Sequence, residues 1–428
     1  MRWMVALLLL APGLAQTARW EGTPEYRAIA GAPTAAGPAL DKSYVLDFPA
    51  QGEFKGTVVM VPGFLGGATN FEALARRLVL AARGWEVWAL DRCSNGLEDR
   101  SGFNTPDPWT FYQHYKLPDF PFLKDWGLRV HLDDLDRVID AAKVKGPVVL
   151  VGHSLGGSIA SLYTLYHPEK LSGLILLDGG PNLVQITKEQ YLNGESGGMF
   201  GNVSGLNDLL AGKTPPYVTL FGLNPLSFAQ AEAQAYMAAQ DPQADAPAGW
   251  VPYRASREAA ALARIAARYQ PVPIFAVSLG RAQAREGLNI LGLFFNTLSY
   301  TVRGPRGKRV EWIDTGEATD PLEFLSLYAH PNTGFSEWFF PYRLTLDISA
   351  WKVAMPELKP HTLPFSVLAL GAGSGLLQKM ESFKAVGDVF PSTKTDIRIL
   401  PGLTHLDILT GRSGPAVGPM AEYLKVLR

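Results

Sequence analysis

Short apolar, β-rich runs alternate with segments of helical periodicity in two blocks of this 428-residue sequence. The alternation is typical of a parallel sheet, because each crossover between parallel strands is usually a helix. Several of the runs lack polar residues, as expected where helices cover both faces of a sheet. The predicted strands are 43–48, 57–61, 86–90, 148–151, 174–177, 365–370 and 396–400, and the predicted helices between them are 71–82, 132–142 and 159–166. The sequence therefore predicts an α/β fold with a mostly parallel sheet flanked by helices.

The alternation stops between residues 181 and 360. A structureless loop of this length would be unusual in a compact domain, so we predict that the segment is an insertion with its own substructure. Its predicted elements are helices at 229–240, 253–269 and 321–328 and a hairpin over 301–312 that turns at 304–307. We therefore expect a large, mainly helical cap or lid inserted between two strands of one sheet.

The first residues combine a positive charge at Arg2, a short apolar run and small residues near position 15, which is the pattern of a secretory signal peptide. The apolar run is too short to span a bilayer. A buried first strand or helix is the alternative interpretation. We predict a signal peptide at 1–15, the core at 16–180 and 361–428, the cap at 181–360, and a secreted or periplasmic protein without a stable membrane anchor.

The charge balance and the cysteine content exclude several classes of protein. The chain has 39 basic and 40 acidic side chains and no run of Lys or Arg, so the overall charge predicts no electrostatic surface for nucleic acid or for an anionic membrane. Its single cysteine, Cys93, excludes an intrachain disulfide and a four-thiolate zinc site, and the histidines lack the spacing typical of zinc ligands. We predict no metal and no cofactor. Cys93 is either a reactive thiol or a buried, inert one, and the oligomeric state stays open.

Two segments match Gly-x-Ser-x-Gly, at 152–156 and at 194–198. The serine of this pattern can act as a nucleophile where a strand ends abruptly and a helix begins. It then occupies a strained turn with its hydroxyl exposed above the helix N-terminus. Ser154 follows a predicted strand and precedes a helical segment, whereas Ser196 has no strand before it. We therefore predict Ser154 as a nucleophile, with an ordinary helix start as the alternative, and Ser196 as a flexible loop residue.

Residues 152–157, Gly-His-Ser-Leu-Gly-Gly, resemble the nucleophile elbow of the α/β-hydrolase superfamily, in the form common among lipases and esterases. The resemblance covers roughly residues 43–180 and 363–428 but not the insertion. It implies an α/β-hydrolase sheet and a serine hydrolase whose catalytic triad runs Ser, then Asp or Glu, then His along the chain. Relatives that hydrolyse epoxides or haloalkanes carry aspartate at the position of Ser154, which disfavours those reactions.

The resemblance also implies the catalytic base and acid. His405 follows the last predicted strand and precedes the C-terminal helix, where the family keeps its histidine. Most relatives keep the acid after the strand at 365–370, but residues 371–375 contain no carboxylate. Some lipases resembling pancreatic lipase place it one strand earlier, which here points to Asp178. We predict Asp178 as the acid, although an Asp before Gly is often a turn residue; Glu381 and Asp388 are the alternative acids.

The oxyanion of an acyl-transfer intermediate needs two backbone donors. The resemblance implies that the amide of Leu155 is one of them and that the loop 62–67 supplies the other. Gly63 is expected to let the chain turn so that the Phe64 amide faces the pocket. Many relatives have His-Gly where this chain has Pro62-Gly63, which leaves the donor available because Pro62 is not the donating residue. A glycine-rich turn without a role in catalysis is the alternative.

Bulky apolar side chains are concentrated in two segments of the insertion, 288–295 and 335–342. An insertion at this point emerges at the edge of the sheet where open α/β sheets bind ligands, so we expect a lid that lines an apolar acyl pocket. The alternative is a small core belonging to the insertion itself. The sequence thus predicts an exported serine esterase or lipase acting on a small-molecule carboxylic ester. A related acyl transferase, lactonase or peptidase and a catalytically silent binding protein of the same fold are the alternatives.

Overall fold

The structure is a computed structural model that describes residues 17–181, 184–198, 201–219, 222–272, 275–294, 297–304, 307–330 and 332–427, with the backbone alone at 196–198, 201 and 202. The predicted signal peptide lies outside the described residues. The strands are β1 (Glu25–Ala30), β2 (Lys42–Phe48), β3 (Gly56–Val61), β4 (Trp85–Asp91), β5 (Val148–His153), β6 (Gly173–Leu177), β7 (Glu195–Gly198), β8 (Gly201–Val203), β9 (Arg281–Ala282), β10 (Arg285–Leu288), β11 (Tyr300–Arg303), β12 (Trp312–Ile313), β13 (Val367–Ala372) and β14 (Thr395–Leu400).

The helices lie between these strands and after the last of them. The α-helices are α1 (Glu72–Ala81), α2 (Pro108–Gln113), α3 (Leu128–Lys143), α4 (Leu155–Tyr166), α5 (Lys188–Asn193), α6 (Leu206–Leu210), α7 (Pro225–Gln240), α8 (Arg257–Leu262), α9 (Ile290–Phe294), α10 (Pro321–Ser326), α11 (Tyr342–Ser349), α12 (Trp351–Ala354), α13 (Lys384–Val389), α14 (Asp407–Thr410) and α15 (Val417–Val426). Short 3-10 helices lie at Ala68–Phe71, Cys93–Leu97, Ser101–Asn104, Pro121–Asp125, Pro168–Lys170, Ala267–Tyr269 and Met380–Phe383. In the described part of the chain, no helix is both long and apolar enough to cross a membrane.

Eight strands form one sheet in the order β1-β2-β4-β3-β5-β6-β13-β14. β2 runs antiparallel to its neighbours β1 and β4, and the other neighbouring pairs are parallel. Each predicted strand overlaps a strand of this sheet, and the predicted α/β class with a mostly parallel sheet between helices is confirmed. The sequence prediction missed β1, an edge strand with exposed and half-buried side chains and no continuous apolar run.

Both faces of the central sheet are covered by helices. Along β5, Val148 and Leu150 belong to the core that includes α3 and α4, whereas Val149 and Val151 belong to the core that includes α1 and α15. Successive side chains of a strand point to opposite faces, so a strand between two helical layers must be apolar at every position. This explains the absence of polar residues from the run that precedes Ser154.

The predicted hairpin over 301–312 is wrong. β11 pairs with β10, and β12 pairs with β9, so the two halves of the predicted hairpin belong to different small sheets. The glycine and proline residues at 304–307 marked a break between strands, but a local turn signal does not specify which strand each one pairs with. Residues 305 and 306 lie outside the described part of the chain.

The predicted long helix at 253–269 is also wrong, because it contains only α8 and a short 3-10 turn. The Ser256 hydroxyl accepts a hydrogen bond from the Ala259 amide, which makes Ser256 the N-cap and sets the start of α8. After the helix the chain turns, and the Ala267 amide donates to the Val277 carbonyl at 2.7 Å. This pairing with Val277 takes Ala267 out of the helical hydrogen-bond pattern that the alanine-rich sequence alone would have continued.

Residues 181–360 add no strand to the eight-stranded sheet within the described residues. They contain α5 to α12 and the three two-stranded sheets formed by β7 to β12. The chain leaves the main sheet after β6 and returns to it at β13. The division of the chain into two core segments and a cap stays a prediction. The movement of that cap as a lid also stays a prediction.

Candidate active site

Ser154 occupies a sharp turn between β5 and α4. Its backbone angles, φ 55° and ψ −127°, are rarely adopted by residues other than glycine and are typical of a strained functional turn. The Ser154 amide donates to the Leu177 carbonyl at 3.1 Å, and the Ser154 carbonyl accepts from the Gly157 amide at 2.9 Å. A Cβ at Gly156 would lie 2.2 Å from the Val61 carbonyl oxygen, so a side chain there would prevent α4 from starting so close to β3. The structure places Ser154 at the strand, turn and helix junction expected from the sequence.

Asp178 lies beside Ser154 because β5 and β6 are adjacent and parallel. The register pairs His153 with Leu177, so Ser154 and Asp178 are the residues that follow this pair at the same edge of the sheet. Asp178 has φ 40°, and its amide donates to the Leu370 carbonyl on β13 at 2.7 Å. The aspartate is therefore held between the ends of two strands.

The Asp178 carboxylate is fully buried and accepts four hydrogen bonds. Its Oδ1 atom accepts from the amides of Ala372 and Leu377 at 3.1 and 2.8 Å, and its Oδ2 atom accepts from the Leu376 amide at 2.8 Å and from His405 Nδ1 at 2.6 Å. Burial raises the pKa of the carboxyl group, but the bond and charge of His405 and the amides of Leu376 and Leu377 together hold it below the usual value. The loop after β13, which has no carboxylate at 371–375, instead supplies the amides that hold Asp178 ionised.

His405 lies in the loop between β14 and α14 and is almost completely buried. Its Nδ1 bond to Asp178 fixes the tautomer, with the proton on Nδ1 and a free electron pair on Nε2. The neighbouring His153 stacks on it, with ring centroids 4.4 Å apart, and donates from Nε2 to the His405 carbonyl at 3.1 Å. Burial, followed by the adjacent His405, lowers the pKa of His153 to about 3, so His153 stays neutral at physiological pH.

Asp407 anchors the loop that carries His405, a role that the sequence did not reveal. Its buried carboxylate accepts from the amide and hydroxyl of Ser278, the amide and hydroxyl of Thr404, and the hydroxyl of Thr319. Two of these partners belong to the insertion. The position of the histidine loop therefore depends on contacts between the insertion and the core.

The predicted oxyanion loop approaches Ser154 closely. A Cβ placed at Gly63 would lie 2.8 Å from the Ser154 Cβ and 3.3 Å from its Oγ. The Phe64 ring packs against Phe340 of the insertion at 5.1 Å. Leu155 is the first residue of α4, and the first amides of a helix have no partner within the helix. Both predicted donors, the amides of Phe64 and Leu155, thus flank the nucleophile.

Arg92 binds the carbonyl groups of the oxyanion loop. Its Nη1 donates to Pro62 at 2.7 Å, and its Nη2 donates to Gly63 and Gly66 at 2.9 and 3.1 Å. The C=O and N–H groups of a trans peptide point in opposite directions. Because the Gly63 carbonyl faces Arg92, the N–H of Phe64 in the same peptide unit faces away from Arg92.

The guanidinium of Arg92 is paired with Glu337 of the insertion. Arg92 Nε donates to Glu337 Oε2 at 2.8 Å, Nη2 bonds the same oxygen, and the Ser94 hydroxyl donates to Oε1. The Glu337 amide donates to the Leu65 carbonyl at 2.8 Å, and all these groups are buried. The position of Arg92 and Ser94 just after a predicted strand is a weak sequence signal for a role near the site, but no local pattern points to Glu337.

The other predicted residues lie apart from this cluster. Glu381 and Asp388 are exposed, and in the described part of the chain Asp178 is the carboxylate bound to the His405 ring. The backbone of Ser196 lies in β7 rather than in a loop, which corrects the sequence prediction, and its side chain lies outside the described residues. Cys93 is buried, and burial followed by the Asp134 carboxylate raises the pKa of its thiol well above the usual value, which favours the inert alternative.

A family model described as alpha/beta hydrolase fold matches residues 56–277. The solved structure of epoxide hydrolase A from Mycobacterium thermoresistibile is similar in fold, with a TM-score of 0.50 and 13% sequence identity over 95% of this chain and 99% of that one. At this identity the likeness concerns the fold alone.

Two characterised enzymes share part of the sequence. The chain is 27% identical over 135 residues to the pyrethroid hydrolase of Sphingobium wenxiniae, which covers 32% of this chain and 40% of that protein. It is 28% identical over 150 residues to the chloroplastic pheophytinase of Arabidopsis thaliana, which covers 32% of this chain and 28% of that protein. The chain thus matches less than half of the length of either relative.

Proposed function

Because this chain belongs to the alpha/beta hydrolase fold family, we propose that it is a serine hydrolase that cleaves carboxylic esters through an acyl-enzyme. Ser154 is the proposed nucleophile, His405 the base and Asp178 the acid that orients the base. The observation that carries the proposal is the bond of 2.6 Å between His405 Nδ1 and Asp178 Oδ2, at the sheet edge where Ser154 occupies its strained turn. A buried carboxylate, a buried histidine and an adjacent strained serine are the groups that acyl transfer requires.

In the first half of the proposed reaction, Ser154 Oγ attacks the ester carbonyl while its proton passes to His405 Nε2. Asp178 stabilises the imidazolium that forms, because its buried carboxylate stays ionised and accepts a hydrogen bond from the Nδ1–H group. The neutral His153 adds no second positive charge against the ring. His405 then gives its proton to the departing alkoxide, which leaves an acyl group on Ser154. A water molecule attacks this acyl group by the same route and restores the enzyme.

The negative charge on the carbonyl oxygen is stabilised in this proposal by the amides of Phe64 and Leu155. The direction of the Phe64 amide supports the assignment, since the Gly63 carbonyl of the same peptide unit is bound by Arg92 on the other side. Glu337 keeps Arg92 in place through a charge-assisted bond. Arg92 and Glu337 are therefore proposed as positioning residues for the oxyanion.

The ester assignment is favoured over two other classes of function. Epoxide hydrolysis by relatives of this fold uses an aspartate nucleophile, and this chain has Ser154 there. A catalytically silent binding protein would have no need of a buried, ionised acid on His405, so the geometry of Asp178 argues against that alternative. One partly matching relative is named a pyrethroid hydrolase, which agrees with a hydrolytic function for this chain.

The proposed acyl pocket lies where segment 335–342 meets the oxyanion loop. Trp338, Phe339 and Phe340 are completely buried there. Phe340 contacts Phe64, whereas Phe339 contacts Phe120 and Tyr217. This arrangement favours a role in the acyl site for Phe340 and a packing role for Phe339.

The direct test of the reaction class is a panel of nitrophenyl esters of increasing acyl length, measured beside lactone and peptide substrates. Hydrolysis of esters at rates well above those of lactones and peptides would support the proposal. No hydrolysis of any ester by folded protein would contradict it.

Export through residues 1–15 is a separate proposal, which rests on the sequence pattern alone. Expression in a bacterial host followed by fractionation and N-terminal sequencing would test it. The proposal requires an exported form whose first residue follows the predicted cleavage region. A protein retained with its N-terminus intact would contradict it.

A further inference from the structure

The ribbon formed by β10 and β11 carries an apolar tip that does not pack against the rest of the protein. We define the apolar tip as six large side chains of β10, of α9 and of the segment before β11 that are between 48% and 78% exposed, namely Leu288, Ile290, Leu291, Leu293, Phe294 and Leu298. The sequence predicts that 288–295 lines an apolar acyl pocket or, as the alternative, belongs to a small core of the insertion. The described residues 288, 290, 291, 293 and 294 are exposed, which fits neither prediction, and Phe295 lies outside the described residues. A group of large exposed apolar side chains on a soluble domain marks an interaction surface.

The sequence that forms the ribbon and its base is rich in basic residues. Residues 281–308 contain five basic residues and one acidic residue, although the whole chain has a net charge of −1. The overall charge balance therefore does not describe this segment, and the expectation that the chain has no surface for an anionic membrane is revised here. The acidic residue, Glu286, is bound by Arg268 at 2.6 and 2.7 Å. Arg285 and Arg303 pair directly across the ribbon, and opposed like charges destabilise a two-stranded sheet unless an anion lies near them. Both arginines are exposed and form no ion pair with a described residue.

We propose that this ribbon docks the protein on an anionic lipid bilayer, with the apolar tip inserted among the headgroups and acyl chains and the arginines bound to lipid phosphates. Apolar side chains at one end and basic side chains next to them are the arrangement that binds the surface of a membrane without crossing it. A second copy of the chain fits this surface less well. A symmetric dimer through the tips would bury the apolar side chains but would leave Arg285 and Arg303, at the base of each ribbon, without an anionic partner.

The ribbon is joined to the loop of His405 by a short segment. The Ala276 carbonyl accepts from the Leu406 amide and the Thr404 hydroxyl, and the Ser278 amide donates to Asp407. Strand β9 begins three residues after Ser278. Docking of the apolar tip would therefore hold the loop of His405 close to the ribbon that contacts the lipid.

The test is flotation of the protein with vesicles of phosphatidylcholine, with and without phosphatidylglycerol. All variants are made in a Ser154→Ala background, so lipid binding is measured independently of the proposed ester hydrolysis. We expect binding that is stronger on the anionic vesicles and weakened by salt. Ile290→Ser with Phe294→Ser should reduce binding to both kinds of vesicle by roughly tenfold or more. Arg285→Gln with Arg303→Gln should reduce binding to the anionic vesicles by roughly fivefold for each charge removed. Binding to vesicles of phosphatidylcholine alone should not change.

Val144 and Val426 supply a matched control, because they are 88% and 72% exposed and lie outside the ribbon. Val144→Ser with Val426→Ser should bind vesicles as strongly as the parent protein. The proposal is wrong if the parent does not float with anionic vesicles, or if the control and tip variants lose binding equally. It is also wrong if the tip variants abolish a dimer seen by sedimentation while vesicle binding is absent.

Discussion

Arg92 and Glu337 lie 245 residues apart in the chain and form a buried ion pair directly behind the loop that follows β3. Arg92 binds three carbonyl groups of that loop, and Glu337 comes from the insertion. The insertion therefore has a part in setting the direction of the Phe64 amide, in addition to any part in covering the site. This relationship makes the oxyanion geometry testable without changing a residue that touches the substrate.

We predict that Glu337→Gln lowers kcat for ester hydrolysis by roughly tenfold to a hundredfold with little change in KM. The substitution loosens Arg92 and with it the Phe64 amide, which donates to the oxyanion mainly in the transition state. Inhibition by a trifluoromethyl ketone, which forms a tetrahedral oxyanion on the serine, should weaken by a similar factor. Ser94→Ala, which removes one bond to Glu337, should have a smaller effect in the same direction.

Glu323→Gln is the matched control for this prediction. Glu323 forms a buried, two-point ion pair with Arg77, and neither residue contacts the oxyanion loop in the described structure. The control should lose stability without a selective loss of kcat or of ketone binding. Equal kinetic effects of Glu323→Gln and Glu337→Gln would mean that the Arg92 pair has only a structural role.

We predict that Asp178→Asn reduces kcat by roughly a hundredfold or more, because the amide disturbs the His405 tautomer and removes the charge that stabilises the imidazolium. Steady-state kinetics on a short nitrophenyl ester, with circular dichroism to check folding, measure this effect. Glu381→Gln and Asp388→Asn are conservative changes at exposed positions and should remain close to wild type. Loss of activity in either of these two variants, with Asp178→Asn unaffected, would show that Glu381 or Asp388 is the catalytic acid.

The neighbouring residues Phe339 and Phe340 should differ in their effects. Phe340→Leu is expected to change the ratio of kcat/KM between long-chain and acetate esters, since the Phe340 ring contacts Phe64. Phe339→Leu should lower the free energy of unfolding by about 1 kcal/mol or more, as core truncation does, and leave that ratio unchanged. The same ratio in both variants would favour a packing role for the whole segment.

Asp91 makes stability depend on pH in a specific direction. Burial raises its pKa to about 6, against the opposing effect of hydrogen bonds from Thr333, Ala68 and Tyr26. The folded protein thus binds this proton more tightly than the unfolded chain, so the contribution of Asp91 to stability falls as pH rises from about 4 to about 6. Urea unfolding should show Asp91→Asn gaining roughly 1 to 3 kcal/mol relative to wild type between about pH 4 and pH 7. A difference between Asp91→Asn and wild type that stays constant over this pH range would refute the assignment.

Features encoded by local sequence were predictable, and features that depend on distant contacts were not. The apolar strand before Ser154 and the glycines around it reflect steric requirements within a few residues, so the elbow could be located in advance. Asp178 stayed one of three possible acids, because its partner His405 is 227 residues away and only the sheet order brings them together. The bonds of Glu337 and Asp407 cross between the insertion and the core, and no local pattern indicates such pairs.

Covalent labelling with a fluorophosphonate probe, followed by peptide mass spectrometry, tests the proposed mechanism most directly. A fluorophosphonate reacts with a serine whose hydroxyl is activated by a neighbouring base and whose developing oxyanion is stabilised. We predict a single adduct on Ser154 in the wild type and in Ser196→Ala, greatly slowed labelling in His405→Ala, and none in Ser154→Ala. An adduct on Ser196, or labelling and ester hydrolysis that persist in folded Ser154→Ala, would contradict the central claim.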